Sequence, residues 1–413
     1  GSTGSPRGVL VTHGNLVANL RGSSLGGHFS SQDVSVSWLP LFHDMGLIGG
    51  PLLGLFLGFA PYLMTPTLFV TRPHLWLHAI TKWRATFTVA PNFAYALAAY
   101  KLPDALLEGI DLSSVRLAFN GAEPINPATV RAFLERYAAH GFDPQALFPV
   151  YGLAEATLAV AFPKPGEDVR VDLVDRAILG GDGRATPGVG DGAVGFVSVG
   201  RALPEHEVII RPLDVGDVRA LGDREVGEVC FVGPSVSPGY YGRGEPERTE
   251  LRTGDLGYMV EGEVFIVDRV KDLIIVAGQN HVPSDIERVV SSVDGVRRGR
   301  AVAFGVASQT GTEELHVVAE LAVFSLRPND QIRNEVTRAL RTHIGVAPAR
   351  IALVAAGSLP RTSSGKLRRR EAKKMLQRGE LCYEDRYDSR LAAMVRALLQ
   401  RLALARVRAQ AAR

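Results

Sequence analysis

Short runs rich in β-formers alternate with helical patterns up to Val267, and after Lys271 the alternation starts again. Val34 to Trp38, Phe87 to Ala90, Val115 to Phe119 and Leu147 to Val150 read as short buried strands. Between them, His74 to Trp83 and Pro127 to Ala139 space their apolar residues at a helical period. Strands interleaved with helices pack as a layered α/β architecture. Arg184 to Gly195 is Gly-rich and loop-like, and Gly222 to Val267 reads as a second β-rich segment. Beyond Lys271 a small α/β domain is expected, with strands at Ala301 to Gly305, Leu315 to Leu321 and Ile351 to Ala355 and a helix at Asp330 to Ile344. A chain of 413 residues exceeds one ordinary core. The expected division is residues 1–267, residues 268–370, and a basic helical tail or linker over 371–413.

Composition narrows the classes. Lys and Arg number 46 against 43 Asp and Glu, a balance of +3, so bulk charge draws no polyanion. The tail is basic from Arg368 and then amphipathic at Leu391, Met394, Leu398 and Leu402, without interleaved aromatics; no nucleic-acid partner is expected. The two cysteines, Cys230 and Cys382, form no CxxC or His cluster, which argues against a disulfide framework or zinc and fits a reducing cytoplasm. No secretion signal is visible. Met45 to Met64 is uncharged and long enough to span a bilayer. Gly46, Gly49, Gly50, Pro51, Gly54, Gly58 and Pro61 interrupt it, so the expectation is a buried helix lining an apolar cavity, with no transmembrane span.

The motifs carry the chemistry. Gly1-Ser2-Thr3-Gly4-Ser5-Pro6-Arg7-Gly8 offers backbone N–H groups, hydroxyls and a cation to phosphate oxygens, or else is a flexible lead-in. It lacks the Gly-Lys-Ser/Thr ending of a Walker A loop. Tyr151-Gly152-Leu153-Ala154-Glu155-Ala156-Thr157 follows a strand and presents a carboxylate and a hydroxyl. Leu251-Arg252-Thr253-Gly254-Asp255-Leu256-Gly257 places one acid on a tight turn. Asp268-Arg269-Val270-Lys271-Asp272 leads to Gly278-Gln279-Asn280-His281-Val282-Pro283, and Leu359-Pro360-Arg361-Thr362-Ser363-Ser364-Gly365-Lys366 sets a lysine on a Gly turn.

In this order and spacing the motifs resemble those of the acyl-adenylate-forming superfamily, which includes acyl-CoA synthetases, fatty acyl-AMP ligases and peptide-synthetase adenylation domains. The resemblance covers essentially the whole chain. It implies a large α/β adenylation domain, here partial, with a small mobile C-terminal α/β domain, and activation of a fatty acid as acyl-AMP from ATP with Mg²⁺. By that resemblance Ser2, Thr3, Gly4 and Arg7 hold the departing pyrophosphate. Glu155 coordinates Mg²⁺, Thr157 lies near the α-phosphate, and Asp255 accepts both ribose hydroxyls. Asn120, Gly121, Ala122 and Glu123 form the adenine strip, with Tyr151 stacked on the base and Gly152 beside it. Lys366 bridges the carboxylate and the α-phosphate, while Arg269 and Lys271 lie at the interdomain hinge. His43, in Leu41-Phe42-His43-Asp44-Met45-Gly46, stands where the family gates its acyl pocket; a satisfied core histidine is the alternative reading.

His43 to Gly49, Arg72 to Leu77, Ala90 to Tyr95 and Phe119 to Pro124 look most like fatty acyl-AMP ligases, and so does the long path from Thr157 to Gly200. The extra stretch Asp172 to Ala193 resembles an insertion that restrains domain rotation, with Leu173, Val174, Ile178 and Leu179 as packing elements toward the small domain. That branch passes its acyl group to a carrier protein or carrier domain, with coenzyme A the acceptor in the sister branch. Arg7 replaces the family's usual lysine, and the large N-terminal subdomain has no counterpart ahead of Gly1, so the chain reads as N-terminally truncated. A fragment that only binds nucleotide or a partner is the rival class; Glu155, Asp255 and Lys366 speak against it.

Overall fold

The computed structural model describes residues 7–176, 183–243, 249–276, 279–307, 313–322, 325, 327–362 and 367–381. The chain divides into two compact units between Lys271 and Asp272. The last strand of the larger unit runs to Arg269, past the boundary drawn at residue 267.

In the larger unit β1 (Ser35–Ser37), β2 (Pro61–Leu63), β3 (Phe87–Pro91), β4 (Leu117–Gly121) and β5 (Leu147–Pro149) form a five-stranded sheet ordered β2-β1-β3-β4-β5. Every pairing in it is parallel. Strands β1, β3, β4 and β5 are buried along their whole length, which is why their sequences carry no polar-out alternation. Helices His74–Trp83, Asn92–Lys101 and Pro127–Tyr137 contribute the buried Trp76, Tyr95 and Phe133 to the same core. Two polar side chains inside it are satisfied in series. The Trp76 indole N–H donates to Thr88 Oγ1 at 2.8 Å, and that hydroxyl donates to the Val36 carbonyl at 2.8 Å.

Asp33 closes one end of this sheet. Arg116 Nε and Nη2 donate to its two oxygens at 2.9 and 2.8 Å, and the Thr86 hydroxyl donates at 2.6 Å. Arg116 Nη1 reaches on to the Gly27 carbonyl at 2.8 Å. Burial raises the Asp33 pKa, but the hydrogen bonds from Arg116 and Thr86 outweigh it and hold the carboxyl below its ordinary value.

Met45 to Met64 departs from the single buried helix expected. The chain is helical over Asp44–Leu47, widens to a π turn over Ile48–Leu52 that accommodates Pro51, and continues over Leu53–Leu57 until Gly58, at φ +83°, ends it. Met45, Ile48 and Leu53 are buried, whereas Leu55 is 82% exposed. No helix among the described residues is long and apolar enough to cross a membrane.

Antiparallel structure follows. β6 (Tyr151–Gly152) pairs with β7 (Ala159–Phe162), and β8 (Val171–Asp175) pairs with β9 (Ala193–Val197). β10 (Arg201–Ala202) returns to β7, and β11 (Glu207–Arg211), β12 (Gly227–Val232), β13 (Glu250–Val260) and β14 (Glu263–Arg269) form a meander in that order. The β8 end of the expected insertion belongs to this unit. Arg224 Nη1 and the Tyr258 hydroxyl donate to Asp172 at 3.0 and 2.9 Å, and Val174 is fully buried. Val174 pairs with Val194 and bridges to Pro187 within this unit. Leu173 is half exposed, and Ile178 and Leu179 lie outside the described residues.

The smaller unit contains the ribbon β15 (Ile274–Val276) and β16 (Gln279–His281) and the sheet β17 (Val296–Ala307), β18 (Glu313–Leu321) and β19 (Arg350–Val354). Alternate residues feed two cores. Ala301, Ala303, Leu315, Val317 and Ile351 meet Ile286 and Val290 of helix Pro283–Ser292 and Val336 and Leu340 of helix Asn329–Ile344. Val302, Phe304, Val318 and Ala352 meet Leu359, Ala372 and Leu376 on the other face, the last two from helix Arg369–Gln377.

The Asp33 clasp sets a pH-dependent test. A carboxyl depressed in the native state contributes stability that is fully present above its unfolded pKa, near 4, and is lost as pH falls through the native value. Asp33→Asn should cost about 2 kcal/mol at pH 7, the scale of hydrogen bonds to a charged group. In urea titrations that deficit should shrink steadily below about pH 4; a deficit unchanged at pH 3 would contradict the account.

Candidate active site

In open parallel sheets, ligands are bound beyond the carboxyl ends of the strands. Here β3, β4 and β5 end together at Pro91, Gly121 and Pro149. Gly121 is packed so closely that a Cβ would lie 2.8 Å from Val150 Cγ2. The next residue, Ala122, has φ +67°, a left-handed conformation costly for a residue with a side chain. Asn120 is fully buried, and neither polar atom of its side-chain amide has a hydrogen-bond partner among the described residues. Glu123 accepts the N–H of Phe93, at the start of helix Asn92–Lys101. Of the expected adenine strip, then, Glu123 is tied into the fold, while Asn120 holds unspent hydrogen-bonding capacity.

Tyr151, on β6 just past this edge, donates its hydroxyl to Asp255 Oδ2 at 2.6 Å. Asp255 lies within β13 directly after Gly254, which takes φ +75°. Its other oxygen meets Arg269 Nε at 3.0 Å, from the end of β14. Burial raises the Asp255 pKa despite Arg269 and the tyrosine hydrogen bond. Burial and the neighbouring carboxylate push the Tyr151 phenol upward, so it stays a donor. Each carboxylate oxygen keeps a second lone pair for a ligand hydroxyl. Gly152 lies where a Cβ would be 2.1 Å from the Leu158 carbonyl oxygen, so only glycine fits.

Glu155 lies in the 3-10 turn Ala154–Ala156, and its Oε1 accepts the Tyr240 hydroxyl at 2.6 Å. Thr157 is buried with φ +71°, and its hydroxyl donates to the Ser235 carbonyl at 2.8 Å. The turn is held from outside by helix His13–Gly26, which Thr12 and Asn15 cap reciprocally. Asn19 Nδ2 donates to the carbonyls of Ala156 and Ala159 at 3.1 and 2.9 Å, and Asn15 Nδ2 donates to those of Pro234 and Val236 at 2.8 and 3.0 Å. Glu155, Tyr240 and Thr253 line one cavity of about 310 Å³ together with Leu153, Glu250, Leu251 and Arg252. Among the described residues no three His, Cys, Asp or Glu side chains converge on a point. A divalent cation here would be held by Glu155 together with ligand phosphates, the usual arrangement for Mg²⁺.

The remaining expected residues divide. The Arg7 guanidinium lies over the Tyr240 ring, 5.2 Å from its centroid. His43 Nδ1 is 2.5 Å from Asp44 Oδ1 and accepts the Met45 N–H at 3.4 Å, capping the helix Asp44–Leu47. No hydrogen bond among the described residues joins it to Glu155, Tyr151 or Asp255. Lys271 is exposed at the end of the larger unit. Ser2, Thr3, Gly4 and Lys366 lie outside the described residues. Asn15, Asn19 and Tyr240 were not anticipated from the sequence; Gly239-Tyr240-Tyr241 in a β-rich segment was the available signal for the last.

The profile of the AMP-binding enzyme family matches residues 1–241. The long-chain-fatty-acid–AMP ligase FadD26 of Mycobacterium marinum is 38% identical over 403 residues, spanning 89% of this chain and 67% of that protein. FadD25 of Mycobacterium tuberculosis, provisionally named a fatty-acid–CoA ligase, is 36% identical over 416 residues, spanning 92% of this chain and 69% of its own length. A solved structure from a study of fatty acyl-adenylate ligases of E. coli and L. pneumophila superposes with a TM-score of 0.84 at 37% identity, covering 91% of this chain and 68% of that one. A buried carboxylate between a tyrosine and an arginine, a second carboxylate in the turn after β6, and this breadth of likeness have one common account: the chain belongs to the AMP-binding enzyme family.

Proposed function

We propose that the protein activates a long-chain fatty acid with MgATP to acyl-AMP, releases pyrophosphate, and passes the acyl group to the phosphopantetheine thiol of a carrier protein. The observation that carries this reading is the pairing of two sites in one unit, the Tyr151–Asp255–Arg269 cluster and the Glu155–Tyr240 pair. The likeness to FadD26 and to the fatty acyl-adenylate ligase structure supports the fatty acid as substrate. A cytoplasmic location fits its ATP requirement.

An oxygen of the fatty acid carboxylate attacks the α-phosphorus of ATP; the bond from that phosphorus to the α,β-bridging oxygen breaks, and pyrophosphate leaves with the electron pair. The barrier is charge repulsion and positioning, so the protein's work is to orient and neutralise. Asp255 accepts the ribose hydroxyls, held rigid by Tyr151 and Arg269. Asn120 to Glu123 present the adenine strip, with the Tyr151 ring against the base and Gly152 allowing close approach. Glu155 holds Mg²⁺, which neutralises phosphate charge when bound. Thr157 faces the α-phosphate, and Ser2, Thr3, Gly4 and Arg7 receive the pyrophosphate. Lys366 places its charge where negative charge builds, Lys271 serves the hinge, and His43 gates the acyl pocket.

Three outcomes follow from this reading. Asp255→Asn should raise the KM for ATP tenfold or more, the effect of weakening hydrogen bonds to a charged acceptor, and leave the KM for fatty acid unchanged. Because a carboxyl raised in the native state costs stability above its unfolded pKa, the same variant should melt at or above the wild-type temperature at pH 7. Equal loss of stability and ATP affinity would make Asp255 a structural residue only.

Lys366→Ala should lower acyl-AMP formation by about 10²–10³. Transfer from preformed acyl-AMP to carrier should stay within a few fold of wild type. Unchanged adenylation removes Lys366 from the site.

With ATP and radiolabelled fatty acid, the enzyme should accumulate acyl-AMP in the presence of free coenzyme A and transfer only to a phosphopantetheinylated carrier protein. Rapid acyl-CoA formation would move the protein to the branch that FadD25 is named for.

A further inference from the structure

We propose that Tyr240 is a positioning residue for Glu155, one rigid side chain that links the metal-holding carboxylate to the guanidinium of Arg7. The inference rests on the adenylating reading and assigns a role to a residue outside the motifs that suggested it. Tyr240 donates its hydroxyl to Glu155 Oε1 at 2.6 Å. Its ring carries two guanidinium groups, Arg7 at 5.2 Å and Arg243 at 5.7 Å from the centroid. A cation over a tyrosine face is attracted by the ring quadrupole, and more strongly when desolvated. Positive charge is thus gathered over the face of a rigid ring whose in-plane hydroxyl fixes a negative group.

The backbone locks this plane to Gly8, Val9 and Leu10. Val9 bridges to Tyr240, the Leu10 N–H donates to the Gly239 carbonyl at 3.0 Å, and the Tyr241 N–H donates to the Gly8 carbonyl at 2.8 Å. The Ser237 hydroxyl donates to the Leu10 carbonyl at 2.6 Å, and the Ser237 N–H donates to the Glu155 carbonyl at 2.9 Å. The segment Ser237 to Arg243 therefore touches the strand after the phosphate loop on one side and the Glu155 turn on the other. Tyr240 and Glu155 both line the 310 Å³ cavity. With Oε1 engaged by the phenol, Oε2 is the oxygen the carboxylate can turn to a cation, and the phenol fixes the torsion that aims it.

Calorimetric titration of ATP into the full-length enzyme, with Mg²⁺ and separately with excess EDTA, tests the role without turnover. Tyr240→Phe keeps the ring and its cations but loses the hydroxyl; MgATP affinity should fall about tenfold, the scale of a hydrogen bond to a charged group, while affinity in EDTA stays at the wild-type value. Tyr240→Leu removes the ring as well and should weaken binding in both conditions. In a double-mutant cycle, Tyr240→Phe added to Glu155→Gln should cause no further loss of MgATP affinity. Wild-type MgATP affinity in Tyr240→Phe, or an equal loss with and without Mg²⁺, overturns the proposal, as does additivity in the cycle. Variants that show these binding differences, with a wild-type enzyme that binds MgATP but forms no acyl-AMP, would sink the proposed reaction and leave the role of Tyr240 standing.

Discussion

A buried carboxylate must be met by donors or it protonates, and Asp255 is met by Tyr151 from β6, just past the end of the parallel sheet, and by Arg269 from the end of the antiparallel meander. The two halves of the large unit come from different folding patterns, one of parallel strands joined by helices and one of hairpins. Their meeting point is this carboxyl. Its raised pKa records a cost: the native state holds the charge less comfortably than water would. That cost is local, and the Asp33 clasp is its opposite within the same unit, a carboxyl whose hydrogen bonds outweigh burial. One stabilises the sheet; the other is a buried charge held between a tyrosine and an arginine. Backbone strain follows the same division, since Ala122 and Thr157 adopt left-handed conformations beside the candidate site.

Strands β1, β3, β4 and β5 of the parallel sheet and helices His74–Trp83, Pro127–Tyr137 and Asn329–Ile344 could be read from the sequence because their periods differ, whereas helices His13–Gly26, Asn92–Lys101 and Pro283–Ser292 were not. Val89, Phe119 and Phe148 lie in strands buried throughout, and the helices His74–Trp83 and Asn329–Ile344 carry clear apolar stripes. Periodicity does not report pairing between distant residues. Asp33 and Arg116 are 83 positions apart, and Glu155 and Tyr240 are 85. Neither pair has a spacing rule, so the clasp and the tyrosine contact were invisible until the chain was folded. Asp255 and Tyr151, 104 apart, were brought together in advance only by a resemblance between motifs. The uncharged run after Asp44 misled for a physical reason: hydropathy averages over a helix circumference, and this helix buries Met45, Ile48 and Leu53 while exposing Leu55.

Helix His13–Gly26 has a further consequence. Asn15 holds the loop that leads to Ser235 and Tyr240, and Asn19 holds the turn that carries Glu155 and Thr157. Four residues apart, they share one helical face, one turn along the axis. The helix thus acts as a ruler whose single graduation, about 5–6 Å between the two asparagine positions, sets where each loop is gripped. Its tolerance for change is narrow in register and wide in composition. Val17, the exposed position between the two asparagines, can vary freely, but inserting or deleting one residue there would swing one amide by about 100° around the axis and release one loop while keeping the other.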